Sequence, residues 1–581
     1  VTDTAAGAER HLPPIPDELL ARARDERWAE RLFERDASLW STDPAVQAGI
    51  SERLGWLDAP DHFHGEIGPL EAFGEAIRDA GFTTAIVGGM GGSSLAPEVL
   101  KKTFGDGGDW LELRVLDSTD PAAVAAALDD RYPLETLMIV ASKSGTTAEP
   151  LAFQAEAWER IRAALLARHL HDESPGDFMI AITDPGRSLE AIPHHNDLRE
   201  VFLNPPDVGG RYSALTYVGL VPGSLIGLDL DPFLDSARAM LDACRAADPA
   251  TNPGLSLGLV LGANAVAGRD KLTFVVDPEI AGFGAWAEQL IAESTGKRGV
   301  GIVPVDLEPL GSADAYGPDR VFVRISLADS AGPAKASGGR SADKLLNALE
   351  AAGHPVVRIA LDDPIDLAGE FVRWEVATAI AGIVLGIDPF DQPNVEEAKE
   401  HTRRALAAIE AGDTSHGAGH GSVAGSDVPS YVLATDPNLG AELRTHLRSL
   451  KPNGYAALQA YVATTPGRDE KLARIRALLR DRTHRATTAG YGPRFLHSTG
   501  QLHKGGAPIG WFLQLTADHP ADRPIPGKPY TFGQLIDAQA AGDLSVLHAH
   551  GLPVLRVHLG PDPDAGLAAL ERALEAALQE A

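Results

Sequence analysis

Short apolar runs that alternate with helix-length segments set the strongest limit on what this chain can become. From about Leu70 the runs are Ala85-Ile86-Val87, Leu113-Arg114-Val115-Leu116, Leu137-Met138-Ile139-Val140 and Phe178-Met179-Ile180-Ala181-Ile182. Runs this short and this far apart predict βαβ units and a parallel sheet covered on both faces. Right-handed crossovers bring the carboxyl ends of the strands to one side, where a crevice opens. A second series at 272–276, 301–305, 321–325 and 356–359 predicts a second unit of the same kind. Further on, 511–516 and 554–559 read as strands, and 532–541 and 565–578 as helices.

The expected fold class is therefore α/β. Two doubly wound parallel-sheet units, each a three-layer αβα sandwich, carry an N-terminal helical arm and a C-terminal α/β block. The arm covers 1–69, the first unit 70–240 and the second 241–410. Residues 411–430 form a Gly/Ser-rich linker, and 431–581 the C-terminal block. Within the arm, 15–58 has an irregular amphipathic pattern that Pro44 interrupts, and it is expected to pack on the body or on another subunit. His416 and His420 lie in the linker, without periodicity or acidic neighbours, and no metal is expected there.

Charge and cysteine content narrow the function. Lys and Arg total 51 against 81 Asp and Glu, a net charge of -30. That argues against nucleic acid and anionic membranes as partners. A small anionic ligand remains compatible, because a local pocket can oppose the global field. Cys244 is the only cysteine, so neither a disulfide framework nor a thiolate zinc site is expected. The first twenty residues lack the apolar core of a secretory signal, and no run of eighteen apolar residues exists. A cytoplasmic enzyme without metal or cofactor is the expectation.

Several loops carry candidate chemistry. The first strand runs into Gly88-Gly89-Met90-Gly91-Gly92-Ser93-Ser94, and a helix follows. Glycines let a backbone approach a ligand, and a helix N-terminus favours an anion. The third strand runs into Ser142-Lys143-Ser144-Gly145-Thr146-Thr147, whose N–H groups and hydroxyls suit a phosphate. On one parallel sheet the two loops share a side. Gly209-Gly210-Arg211-Tyr212-Ser213 offers an arginine from a loop. In the stretch 284–299, Trp286, Leu290 and Ile291 share a helical face, and Glu293 comes near the end of that pattern. Spacing alone leaves Glu293 either exposed in a final turn or projecting into a crevice. The stretch from Phe495 to Gly506 sets His497, His503 and Lys504 among small residues.

In this order, GGMGGSS, SKSGTT, GGRYS, QLIAESTGK and PFDQPNVEEAK resemble the glucose-6-phosphate isomerase family, a pair of sugar-isomerase (SIS) domains, over roughly 80–400. The arm's DASLW and RLGWL, and GYGPRFLHSTGQLHKGG, resemble the isomerase half of bacterial transaldolase/glucose-6-phosphate isomerase fusions. The resemblance implies that Ser142, Lys143, Ser144, Thr146 and Thr147 hold the sugar phosphate, with Gly91, Gly92 and Ser93 as the other wall. It implies Glu293 as catalytic base, Gln289 as a nearby polar contact, Arg211 as the arginine of the site, and Gln392 and Lys399 from the FDQ segment. Many short bacterial members place a histidine soon after the glutamate. Here Val305-Asp306-Leu307-Glu308-Pro309-Leu310-Gly311 has none, and the similar string Leu496-His497-Ser498-Thr499-Gly500-Gln501 stands about 200 residues later. His497 is the first choice for that role and His503 the second.

The implied activity is interconversion of glucose 6-phosphate and fructose 6-phosphate. Ring opening would use His497 or His503 with Lys399, and proton transfer at Glu293 would pass through a cis-enediolate stabilised by Arg211. Other readings are an isomerase of mannose 6-phosphate or of a sulfosugar, and a non-catalytic SIS regulator. A dinucleotide site is set aside because the glycine turn lacks the last glycine of GxGxxG. The resemblance also implies a homodimer, although the extra C-terminal block could replace the partner and permit a monomer. It further implies a separate transaldolase in the same pathway.

Overall fold

The structure is a computed structural model that describes residues 10–105, 108–328, 342–410, 430–433 and 438–580. The proposed linker falls almost wholly outside the described residues, with His416 and His420. A two-residue strand, β1 (Arg10–His11), comes first, and short helices follow as far as Asp79. Pro44 starts one of these, Pro44–Ser51, with Asp43 capping the Ala45 N–H at 2.8 Å. A proline at the first helical position costs no hydrogen bond, so it initiates where an interruption was expected.

The first unit contains β2 (Thr84–Gly88), β3 (Glu112–Leu116), β4 (Thr136–Ala141), β5 (Met179–Thr183) and β6 (Glu200–Leu203). The order is β3-β2-β4-β5-β6, and every pairing is parallel. The second unit contains β7 (Lys271–Val276), β8 (Val303–Val305), β9 (Arg320–Leu327) and β10 (Val356–Leu361). Its order is β8-β7-β9-β10-β1, with β1 antiparallel at the edge. The C-terminal block is a third unit with its own sheet rather than a completion of the second. It is built from β11 (Ser430–Val432), β12 (Tyr455–Tyr461), β13 (Ala486–Tyr491), β14 (Gly510–Thr516) and β15 (Val554–His558), in the order β13-β12-β14-β15-β11. With the edge strands β1 and β11 set aside, all three sheets repeat one scheme: the second of the remaining strands lies outside the first, and the third and fourth lie on its other side. Each scheme has a switch point beside the first strand, where crevices form.

The sequence reading missed β1, β6, β11, β12 and β13. The β12 run Tyr455-Ala456-Ala457-Leu458-Gln459-Ala460-Tyr461 is buried throughout but rich in alanine, which carries little strand signal. The first two units and the arm share one apolar core. A smaller cluster joins Ala292, Val303 and Val305 of the second unit to Tyr455, Leu502 and Phe512 of the third. The arm packs on its own body: Trp40 meets Phe390 edge-on at 5.0 Å, and Trp56 stacks on Tyr212 at 5.2 Å.

Candidate functional site

The two loops expected to bind a ligand flank the switch point of the first sheet, because β2 and β4 are neighbours. After β2 the chain turns at Gly91 with φ +56°, a region that disfavours side chains. A Cβ there would stand 2.4 Å from the His497 carbonyl oxygen and 2.9 Å from Gln289 Nε2. At Gly92 it would stand 2.1 Å from the Gly210 carbonyl. These glycines are what allow the Arg211 and His497 segments to press against the first sheet. Ser93 opens the helix Gly92–Phe104.

After β4, Ser142 Oγ donates to Thr147 Oγ1 at 3.2 Å, and Ser144 and Thr146 share a hydroxyl contact of 3.0 Å. Gly145 has φ +65°, and a Cβ would collide with the Ser188 carbonyl at 1.8 Å. Lys143 turns away from the hydroxyls, with Nζ 2.5 Å from Asp184 Oδ2 and 2.9 Å from the Pro206 carbonyl.

Glu293 lies on the helix Gly282–Thr295 and is 8% exposed. It is buried and paired rather than solvated in the final turn. Arg211 Nη1 pairs with Glu293 Oε1 at 3.0 Å, and Gln289, one turn back, donates Nε2 to Glu293 Oε2 at 3.0 Å. Arg211 is fixed by its other donors: Nε to Ser294 Oγ at 2.8 Å, Nη1 to Gln392 Oε1 at 3.1 Å, and Nη2 to the carbonyls of Pro389 and Asp391 at 2.7 and 3.0 Å. Lys297, beyond the same helix, bonds the carbonyls of Asp388 and Asp391 at 2.6 and 2.5 Å. Burial and then the Arg211 charge push its ammonium down to about 8. The arginine and lysine together hold the Pro389–Gln392 loop across the crevice. Beside that loop an open pocket of about 360 Å³ is bounded by Arg53, Asp388, Asp391 and Gln392.

The two candidate histidines separate clearly. Gln289 Nε2 also donates to the His497 carbonyl at 2.7 Å, and the His497 ring faces Glu149, Nε2 to Oε1 at 3.2 Å. Glu149 stands in the first turn of the helix Ala148–Ala167, where the dipole favours a carboxylate. Gln539 of the third unit donates to the same oxygen at 2.6 Å, and Thr119 donates to Gln539 at 2.7 Å. Burial raises the Glu149 carboxyl, but the charge of His497, its hydrogen bond and the more distant Lys399 bring it below the ordinary range. Lys399, on the helix Val395–Glu410, is thus within electrostatic reach of the pair. His503 instead lies in an aromatic box of Tyr455, Phe495 and Phe512, with Nδ1 2.8 Å from Tyr455 Oη. Burial, with Lys504 next, pushes it down to about 3.

Glu149, Lys297 and Ser294 were not among the candidates from sequence. A signal existed for Glu149, which stands two residues after Thr147 in the hydroxyl motif but reads as an ordinary acidic residue of a first helical turn. The segment without a histidine, 305–311, docks the third unit. Arg476 Nη2 donates to the Asp306 carbonyl at 2.7 Å, the Thr487 N–H and hydroxyl donate to Glu308 Oε1 at 2.8 and 2.7 Å, and Arg480 donates to the Pro309 carbonyl.

Comparison with known proteins points to one family. The family model described as phosphoglucose isomerase matches residues 72–305. The glucose-6-phosphate isomerase of Rubrobacter xylanophilus is 30% identical over 381 residues, covering 56% of this chain and 83% of that protein. That of Symbiobacterium thermophilum is 28% identical over 434 residues, covering 67% of this chain and 92% of that one. Among solved structures, a hypothetical protein from Thermus thermophilus aligns with TM-score 0.56 at 26% identity, covering 67% of this chain and 95% of that one. The glucose-6-phosphate isomerase of Chlamydia trachomatis aligns with TM-score 0.54 at 20% identity, covering 70% and 89%, and shares the fold. With a 30% identical relative matched over most of its length, the chain belongs to the glucose-6-phosphate isomerase family.

Proposed function

We propose that this chain interconverts glucose 6-phosphate and fructose 6-phosphate in the crevice between its three units. The observation that carries the reading is the run Arg211–Glu293–Gln289–His497–Glu149, in which each group contacts the next. The hydroxyls of Ser142, Ser144, Thr146 and Thr147, with the turn at Gly91, Gly92 and Ser93, hold the phosphate and place the sugar. His497, backed by Glu149 and with Lys399 near, delivers a proton to the ring oxygen as the C1–O5 bond breaks. The O1 proton leaves to water. Geometry favours His497 over His503, whose ring is taken up by Tyr455 and its aromatic neighbours.

Glu293 then takes the C2 proton of the open chain while charge builds on O1; a proton passes from O2 to O1, and Glu293 returns its proton to C1 as C2 becomes the carbonyl. Arg211 steadies the enediolate, a role suited to an always-charged fork already locked in place. Gln392 and Gln289 line the same space. The sulfosugar, mannose 6-phosphate and regulator readings lack support of this kind, since the matched relatives are glucose-6-phosphate isomerases. A single chain supplies every group named here, and a homodimer remains compatible with that. A transaldolase acting on the same sugar phosphates, and a cytoplasmic location, belong to this proposal. Among the described residues no helix is long and apolar enough to cross a membrane.

The test is a coupled assay of purified protein with fructose 6-phosphate, reading glucose 6-phosphate. Glu293→Gln removes the base but keeps the shape, and turnover should fall about 1,000-fold with substrate binding kept. Near-normal turnover in that variant would overturn the assignment.

A further inference from the structure

We propose that Arg494 is the positioning residue for His497: its ion pairs with Glu98 and Asp117 dock the third unit's histidine turn on the first sheet. The inference rests on His497 as the ring-opening acid.

Arg494 and His497 are the two ends of one 3-10 turn, Arg494–His497. Such a turn rises only about 2 Å per residue, so the two ends move together. Phe495 and Leu496, between them, are buried against Tyr461, Ile536 and Ala540. Those contacts fasten the turn to its own unit and say nothing about where it sits over the first. Elsewhere Phe532 stacks on Phe153 of the first unit and joins its core, but at the turn itself the contacts to the first unit are made by polar groups. At the far end are the His497 carbonyl on Gln289 and the ring on Glu149. At the near end is the Arg494 guanidinium, with Nε 3.3 Å from Asp117 Oδ2 and Nη2 against Glu98 Oε2.

The two carboxylates stand on different elements. Asp117 immediately follows β3 at its carboxyl end, and Glu98 is on the helix Gly92–Phe104 that follows the glycine turn. Lys102 holds the other Glu98 oxygen at 2.6 Å, one helical turn away, so Glu98 is a fixed target. A planar fork can span two carboxylates in defined directions, whereas an ammonium is a point charge that cannot. The guanidinium side chain is 25% exposed and both carboxylates 15%, so solvent screens these pairs little. Arg494 therefore acts on the chemistry only through the turn it anchors.

The experiment isolates ring opening. In a Glu293→Gln background the proton transfer between C1 and C2 is blocked, and the remaining chemistry is exchange between the anomers of glucose 6-phosphate, followed by exchange NMR. Adding Arg494→Lys should cut enzyme-catalysed anomer exchange about 100-fold, the scale of a displacement near 1 Å, while glucose 6-phosphate binding and melting temperature stay close to the background protein. Asp117→Asn, which removes one of the two partners, should give a smaller loss in the same direction and serves if Arg494→Lys does not fold. Undiminished exchange in folded Arg494→Lys or Asp117→Asn would overturn the proposal. Equal loss of exchange and of substrate binding would do so too, since it marks a general structural defect. Absence of exchange in Glu293→Gln alone would overturn the ring-opening role of His497 itself, a separate failure.

Discussion

Glu149→Gln is the sharpest probe of the ring-opening half of the site. The side chain is 7% exposed, with Oε1 3.2 Å from His497 Nε2. At that separation, with an effective dielectric near 20, a carboxylate stabilises an imidazolium by about 5 kcal/mol. Glutamine keeps a neutral hydrogen bond worth about 1 kcal/mol and is spared part of the cost of burying a charge. We expect a net loss of about 2–3 kcal/mol in holding the proton that His497 delivers, and so about 30–150-fold less enzyme poised for ring opening and a matching loss in rate. The assays are kcat/KM on fructose 6-phosphate and anomer exchange in the Glu293→Gln background. Stability carries its own signature. A carboxyl held below its ordinary pKa contributes stability that is complete above that ordinary value and is lost as pH falls through the lower folded value. Glu149→Gln should therefore melt earlier at pH 7, and the gap should close on acidification below about pH 4. A variant within threefold of the parent in both rates would refute the electrostatic argument. So would a stability gap that widens in acid.

Two glycine substitutions should separate the halves of the crevice. Gly91→Ala drives a methyl into the His497 carbonyl and Gln289, so kcat should drop about 100-fold, with a smaller rise in KM because the same turn walls the phosphate. Gly145→Ala forces the hydroxyl loop off Ser188 and should act mainly on KM, by about tenfold, the weight of roughly one lost hydrogen bond to phosphate. Steady-state kinetics with both variants would show the reverse pattern if the loops were assigned to the wrong ends of the sugar. His503 bears on stability in acid. Its folded pKa, about 3, is below the unfolded value near 6.5, so between those limits the unfolded chain binds the extra proton and stability falls as pH drops. Urea midpoints at pH 7 and pH 4.5 should differ less in His503→Gln than in the parent, and an equal difference would count against a neutral buried ring.

How much of this was legible in the sequence depends on the range of the interactions involved. The βαβ rhythm, both crevice loops and the buried helix carrying Glu293 are local patterns, and a strand followed by GGMGG or SKSGTT announces them within ten residues. Glu149 sits inside such a pattern and was still missed. What makes it notable is a histidine 348 positions away and a glutamine 390 positions away, contacts that only the folded chain reveals. The third sheet was half hidden for a different reason. Its interior strand β12 is alanine-rich, and its burial comes from neighbours on both sides, not from its own side chains.

The segment 305–311 carries the argument furthest, because its lack of a histidine looked like a gap in the site. In space it is a landing strip. Glu308 is 4% exposed and accepts from Arg320 at 2.9 and 3.0 Å as well as from Thr487. Burial opposes its ionisation, yet the Arg320 charge holds the carboxyl below the ordinary range. A buried pair of this kind costs several kcal/mol when one partner is removed, so this contact is a demanding one to keep. It is kept where the third unit meets the second, and the same unit carries His497 back over Gln289 and Gly91. The residues after Glu293 thus hold the unit that brings the histidine, and Arg494 ties its other side to the first sheet. Position along the chain and position in the fold are decoupled: residues from three units, Arg211, Glu293 and His497, meet through side-chain contacts between the units.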